Sequence, residues 1–108
     1  MPRRRNALKG GYVYIVSNPR RTVLYTGVTA HLERRAAQHA SGSGSVFTRR
    51  YNCTDLIYYE TFPLIVEAIH REKQLKRWHR RWKLDLIRAL NPNMETLCLR
   101  TGVAGGPP

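Results

Sequence analysis

The sequence predicts an α/β (α+β) domain: a small three-stranded, largely antiparallel sheet flanked by helices, in the order β-β-α-β-α-α. Three observations lead there. Two short runs rich in β-branched and aromatic residues, Tyr12 to Ser17 and Thr22 to Thr26, flank the turn signal Asn18-Pro19, which is a hairpin pattern. A third such run, Leu56-Ile57-Tyr58-Tyr59, comes later in the chain. Between and after these runs apolar residues recur at three and four, the helical period. A length of 108 residues sets one domain, and 42% hydrophobic with 9% aromatic residues suffices for a modest core without disulfides or metal staples.

The elements follow in order. Residues 1–10 form a basic, flexible arm with Arg3, Arg4 and Arg5. A four-residue hairpin loop, Asn18 to Arg21, sets Ser17 opposite Thr22 and therefore Tyr14 opposite Tyr25, two phenols on one sheet face. Thr29 is a fair N-cap for a helix from about Ala30 to Ala40, with Leu32, Arg35, Ala36 and His39 on one stripe. Ser41-Gly42-Ser43-Gly44-Ser45 ends it in a flexible loop. After Pro63 a helical stripe of Ile65, Ala68, Ile69, Glu72, Leu75 and Lys76 places a carboxylate on the face that otherwise turns to the core. Trp78, Trp82, Leu86, Ala89 and Leu90 indicate a further helix, continuous with the last or broken near His79, and Asn91-Pro92 stops it. Residues 93–108 are a C-terminal tail whose last residues, rich in Gly and Pro, hold no regular structure.

Charge narrows the function. Nineteen Lys plus Arg against seven Asp plus Glu leave +12, with a pI near 10.7, so a polyanion is the expected partner and nucleic acid the leading one. The longest apolar run of the first half, Tyr12 to Val16, is far short of the ~20 residues of a membrane span, and no signal-peptide pattern follows the basic start. Cys53 and Cys98 have neither zinc nor redox spacing, and the four histidines form no ligand set with them. Reduced thiols and a cytoplasmic setting are the expectation.

Five side chains stand out. Glu72 is the lone acid in Arg71 to Lys83, a segment with seven Lys and Arg, and an inward carboxylate must be ion-paired, hydrogen-bonded or metal-bound. An internal salt bridge satisfies it, but Mg²⁺ also needs only one or two carboxylates beside water and phosphate. Arg35 and His39, one turn apart, suit phosphate gripping and proton holding, and equally a surface cation and a helix-end imidazole. Tyr14 and Tyr25 read as half-buried sheet aromatics unless neighbouring cations lower a phenol's pKa enough for base work. Gly27 allows a tight turn or a close approach of a phosphate to the backbone, and Asn91 is most simply a helix stop, its amide also able to brace a nearby active-site loop. Lys73, Lys76, Arg77, Arg80, Arg81 and Lys83, interleaved with Trp78 and Trp82, suit phosphate contacts that carry no base information.

Taken together, Tyr12-Val13-Tyr14, Tyr25-Thr26-Gly27, Leu32-Glu33-Arg34-Arg35 with His39, Phe47-Thr48, Tyr51, Tyr58-Tyr59-Glu60, Arg71 to Lys76, Trp82-Lys83 and Asn91-Pro92 resemble, in this order, the GIY-YIG nuclease domain. The likeness spans about residues 11–92 and is to the small stand-alone bacterial URI-type form. It implies that Tyr14 helps deprotonate the attacking water, Tyr25 supports it, Arg35 and His39 serve the phosphate and the proton, Glu72 holds a divalent metal, Mg²⁺ or Mn²⁺, and Gly27 and Asn91 shape the site. Tyr12 stands where the first motif usually has glycine, and Thr26 where the second usually has isoleucine. The implied activity is metal-dependent hydrolysis of DNA phosphodiesters, leaving a 5′-phosphate and a 3′-hydroxyl. Sequence specificity is expected to be weak, with a leaning to structured, branched or damaged DNA and to repair, RNA also being open. No small-molecule cofactor is expected, and a monomer is favoured. The other class kept in view is a basic nucleic-acid-binding module of the same fold that does not cut.

Overall fold

A computed structural model describes residues 10–99; the basic arm up to residue 9 and the tail from residue 100 lie outside the described residues. Three strands, β1 (Gly11–Ser17), β2 (Leu24–Thr29) and β3 (Asp55–Phe62), form one sheet in the order β2-β1-β3, antiparallel throughout. β1 lies in the centre because Val13, Tyr14, Ile15 and Val16 give it two apolar faces, and both are covered. On one face Tyr14, Val16 and Leu56 pack with Leu32 of α1 (Leu32–Ala40) and with Cys53. On the other, Val13, Ile15, Ile57 and Tyr58 meet Ala68 and Leu75 of α3 (Ile65–Lys76) and Ile87 of α4 (Arg80–Leu90).

The hairpin register departs from expectation. Ser17 pairs with Leu24, not Thr22, so the loop has six residues and Tyr14 stands opposite Gly27 rather than Tyr25. Asn18 is the cause: its side-chain oxygen accepts from Thr22 N–H at 2.8 Å and Val23 N–H at 2.9 Å, drawing both out of the ladder. The slip is two residues, so Tyr14 and Tyr25 keep a common face. Arg21, at φ 60°, closes the loop and bonds Asp55 at 2.7 Å and the Met94 carbonyl at 2.8 Å. That bond and the Thr54 and Thr96 hydroxyls hold the Asp55 carboxyl below its usual range, against the opposing push of burial.

Other boundaries shift for local reasons. The helix expected from Ala30 begins at Leu32, because Thr29 Oγ1 accepts from His31 N–H at 3.0 Å and turns the chain first. The order is β-β-α-α-β-α-α: a five-residue helix, α2 (Val46–Arg50), follows the Ser/Gly stretch, with Ser45 Oγ accepting from Thr48 N–H at 3.3 Å. β3 runs beyond the expected four residues, carrying Glu60 and Thr61 along β1. α3 and α4 are separate helices, broken by His79 in an extended conformation. Arg71 ties α3 to β3 through Glu60 at 2.9 and 3.0 Å. Residues 93–99 run back over the sheet, where Met94 is buried and Leu97 N–H donates to the Leu56 carbonyl at 2.7 Å.

Candidate active site

Gly27 decides where the Tyr14 phenol goes. A Cβ at this position would stand 2.4 Å from both Cζ and Oη of Tyr14, so the ring of the central strand crosses β2 over a residue with no side chain. Beyond it the Tyr14 hydroxyl shares a hydrogen bond with His39 Nε2 at 3.0 Å. His39, in the last turn of α1, is buried, and its Nδ1 has no partner among the described residues. Gly44 lets the chain close over that imidazole: a Cβ there would stand 2.4 Å from Nδ1 and 2.6 Å from Thr48 Oγ1.

Arg35 lies one turn before His39, and its Nε is buried with no hydrogen-bond partner, nor does any carboxylate pair with it among the described residues. An unmet buried donor costs about 1–3 kcal/mol, so the guanidinium is poised for an acceptor that none of the described residues supplies. Burial, helped by the Arg35 charge, holds the His39 pKa below 6.5 and keeps the ring neutral. Burial pushes the Tyr14 phenol up to about 12; Tyr25 and Glu72 act in the same direction, and Arg35 against it.

Glu72 is not in the core. Its side chain is 12% exposed at the margin of α3 and ion-pairs with Lys76 at 2.6 Å, whose own side chain is 50% exposed. Lys76 Nζ also lies 5.8 Å from the Tyr25 ring centroid, and that ring faces His39 at 6.1 Å. Tyr14, Tyr25, Arg35, His39 and Glu72 are therefore drawn into one neighbourhood, with Gly27 beneath it.

Asn91 is not drawn in. Its amide donates to the Ile57 and Glu95 carbonyls, both at 2.9 Å, and its oxygen accepts from Glu95 N–H, which ties the end of α4 to β3 and the returning segment. The six basic residues divide. Lys76, Arg80 and Lys83 are close enough for the first two, after burial, to depress the Lys83 pKa, whereas Lys73 and Arg77 line a separate open cleft of about 540 Å³ with Trp78 and Trp82. Arg81 is exposed. Trp82 is more than half exposed, Trp78 partly buried.

The GIY-YIG catalytic domain is the family whose model matches this chain, over residues 10–85. The chain belongs to the GIY-YIG family. It is 40% identical over 76 residues to a UPF0213 protein of Staphylococcus haemolyticus, covering 70% of this chain and 92% of that one. A UPF0213 protein of Clostridium perfringens is 41% identical over 76 residues, 70% and 81% of the two chains. The solution structure of the UPF0213 protein BH0048 from Bacillus halodurans is similar at a TM-score of 0.51 and 34% identity, over 80% of this chain and 90% of that one. The GIY-YIG family is a nuclease family, so a hydrolase that takes nucleic acid is the coarse assignment. Among the described residues no helix is long and apolar enough to cross a membrane.

Sequence reasoning missed two contributors. Gly44 carried no signal beyond its place in a Ser/Gly run, although it seals His39. Phe47, noted only as part of the family likeness, stacks on Tyr25 with centroids 5.7 Å apart. Its signal was an aromatic residue inside a basic stretch, Phe47-Thr48-Arg49-Arg50-Tyr51.

Proposed function

We propose that this GIY-YIG chain is a metal-dependent DNA endonuclease of weak sequence specificity, suited to structured, branched or damaged DNA. The observation that carries the proposal is the buried Arg35 Nε, without a partner among the described residues, beside the Tyr14 and His39 pair on a +12 chain. A guanidinium with spare donors matches a phosphate, which accepts from it in a planar fork.

No group of three or more His, Cys, Asp or Glu able to hold a metal occurs among the described residues, which argues against zinc. One partly exposed carboxylate, Glu72, whose Lys76 partner is exposed enough to swing aside, fits Mg²⁺ or Mn²⁺ held also by water and substrate phosphate. Bound there, the ion supplies Lewis-acid stabilisation of phosphate charge. Arg35 grips the scissile phosphate and offsets the charge that builds on it.

A phenol held at a pKa of about 12 is a poor base while it keeps its proton. The Tyr14 oxygen therefore takes the water proton only as its own proton passes to His39 Nε2, a transfer that is uphill because burial and Arg35 depress the His39 pKa. The tautomer with its hydrogen on Nδ1 allows this, and the phosphate offsets the imidazolium that forms beside Arg35. The water oxygen bonds to phosphorus and the phosphorus–O3′ bond breaks, leaving a 5′-phosphate and a 3′-hydroxyl once the leaving oxygen takes a proton from solvent. Tyr25 packs His39 in place and Gly27 admits the phenol.

A second reading rests on a specific observation: Glu72 is already ion-paired, and Tyr14 is held protonated, which suits a module that binds phosphate without cutting. Nicking of supercoiled, branched and single-stranded DNA with Mg²⁺ or Mn²⁺ separates the two. Metal-dependent cutting that Glu72→Ala abolishes without loss of fold supports the nuclease; binding with no cutting of any substrate supports the module.

A further inference from the structure

Beside the candidate site, α2 leaves apolar surface open to solvent. Phe47 is 41% exposed, Tyr51 42% and Val46 71%. Only six large apolar side chains are exposed among the described residues, and these three fall within positions 46–51, so the exposure is a patch rather than scatter. Its rings are ordered: Phe47 stacks on Tyr25 at 5.7 Å and 28°, Tyr51 lies 4.7 Å from Phe47, and the Arg50 guanidinium sits 5.7 Å from the Tyr51 centroid. One end of this row is thus a member of the candidate site and the other is flanked by cations, with Arg49 also exposed.

Charge selects the occupant. A second copy of a +12 chain brings the same cations to the patch and is repelled. Nucleic acid offers what the patch lacks, an apolar π-face carried on an anionic backbone. A base inside a duplex has both faces covered by its neighbours, so only an unpaired or extruded base presents one.

We propose that Phe47 and Tyr51 form a platform on which an unpaired nucleobase flanking the scissile phosphate stacks, while Arg49 and Arg50 hold its neighbouring phosphates. The proposal rests on the nuclease reading and narrows its substrate class to strands with unpaired bases at the cut.

The test uses the full chain with oligonucleotides carrying 2-aminopurine in a single-stranded segment, in chelator so that nothing is cut. Stacking quenches this base. Wild type and Phe47→Trp are expected to quench it. Phe47→Ala and Tyr51→Ala are each expected to lose the quench and to weaken single-strand binding by about 5-fold or more, in line with base–aromatic stacking, while fully paired duplex binding is nearly unchanged. Should Phe47→Ala fail to fold, Tyr51→Ala and Phe47→Trp carry the test. Equal losses on paired and unpaired DNA, unchanged quenching in both alanine variants, or a shift of Phe47→Ala from dimer to monomer in sedimentation would each overturn the platform. Quenching needs no cleavage, so a chain that stacks the base yet never cuts sinks the nuclease reading alone. A chain that cuts normally after Phe47→Ala sinks the platform alone.

Discussion

Replacing Gly27 by alanine tests how the Tyr14 phenol is placed. The new methyl would lie 2.4 Å from Cζ and Oη and 2.9 Å from Cε2, whereas carbon atoms rest at about 3.5–4.0 Å. Tyr14 and Gly27 are paired across β1 and β2, so the strands cannot part and the ring must yield by about 1 Å. Overpacking costs about 1–3 kcal/mol. Pulling Oη from its 3.0 Å contact with His39 adds about 0.5–1.5 kcal/mol. Alanine's smaller chain entropy returns at most about 1 kcal/mol. The net loss of about 0.5–3.5 kcal/mol lowers Tm by roughly 2–17 °C in a domain of this size. Cleavage should fall about 100-fold, the scale of a 1 Å misplacement of a reacting group. Thermal unfolding followed by circular dichroism, with cleavage rates on the same preparations, measures both. A Gly27→Ala protein that melts with wild type and cuts at its rate would refute the placement.

Thr26→Val should raise stability by about 1 kcal/mol in urea unfolding, because the buried Thr26 hydroxyl has no partner among the described residues and valine keeps the shape; a loss would mean the hydroxyl is satisfied. Arg35→Leu is expected to fold at least as stably as wild type, since it removes an unmet buried donor, while cleavage drops about 100- to 1000-fold; equal loss of both would make Arg35 structural. The His39 pKa is depressed on folding, so the unfolded chain takes up the proton first: stability is full above about 6.5 and declines as pH falls below it, and His39→Gln should flatten that acid limb in pH-dependent urea unfolding. The Tyr14 pKa is raised, so its contribution has the opposite sense, present below about 10 and lost as pH rises toward 12, and Tyr14→Phe should flatten the alkaline limb.

Much of the candidate site's grouping was legible because its signals are local. Arg35 and His39 share a helix face by spacing, and Glu72 stood out as a charge on an apolar stripe. The stripe nevertheless misjudged depth: Glu72 lies at the margin with Lys76, since α3 turns that side toward the edge strand β2 and not into the core. The tyrosine pairing was wrong in register and right in face, because Asn18 diverted two residues from the ladder and strands alternate with period two. α2 was illegible, as five residues after a Ser/Gly run carry no period to read. Asn91 was expected to shape the site, and instead its three hydrogen bonds tie the end of α4 to β3 and the returning segment, away from Tyr14 and His39. Contacts between distant segments, such as Gly44 over His39 or Phe47 on Tyr25, leave no trace in spacing at all.

The central claim is that these side chains cut DNA with a divalent ion. Single-turnover cleavage by wild type, Tyr14→Phe and Glu72→Gln across a Mn²⁺ titration tests it most directly. The account predicts that wild type cuts only with metal, that Tyr14→Phe loses at least about 100-fold at every concentration, and that high Mn²⁺ partly restores Glu72→Gln. Cleavage that survives chelator, or that both variants retain at the wild-type rate, would contradict it.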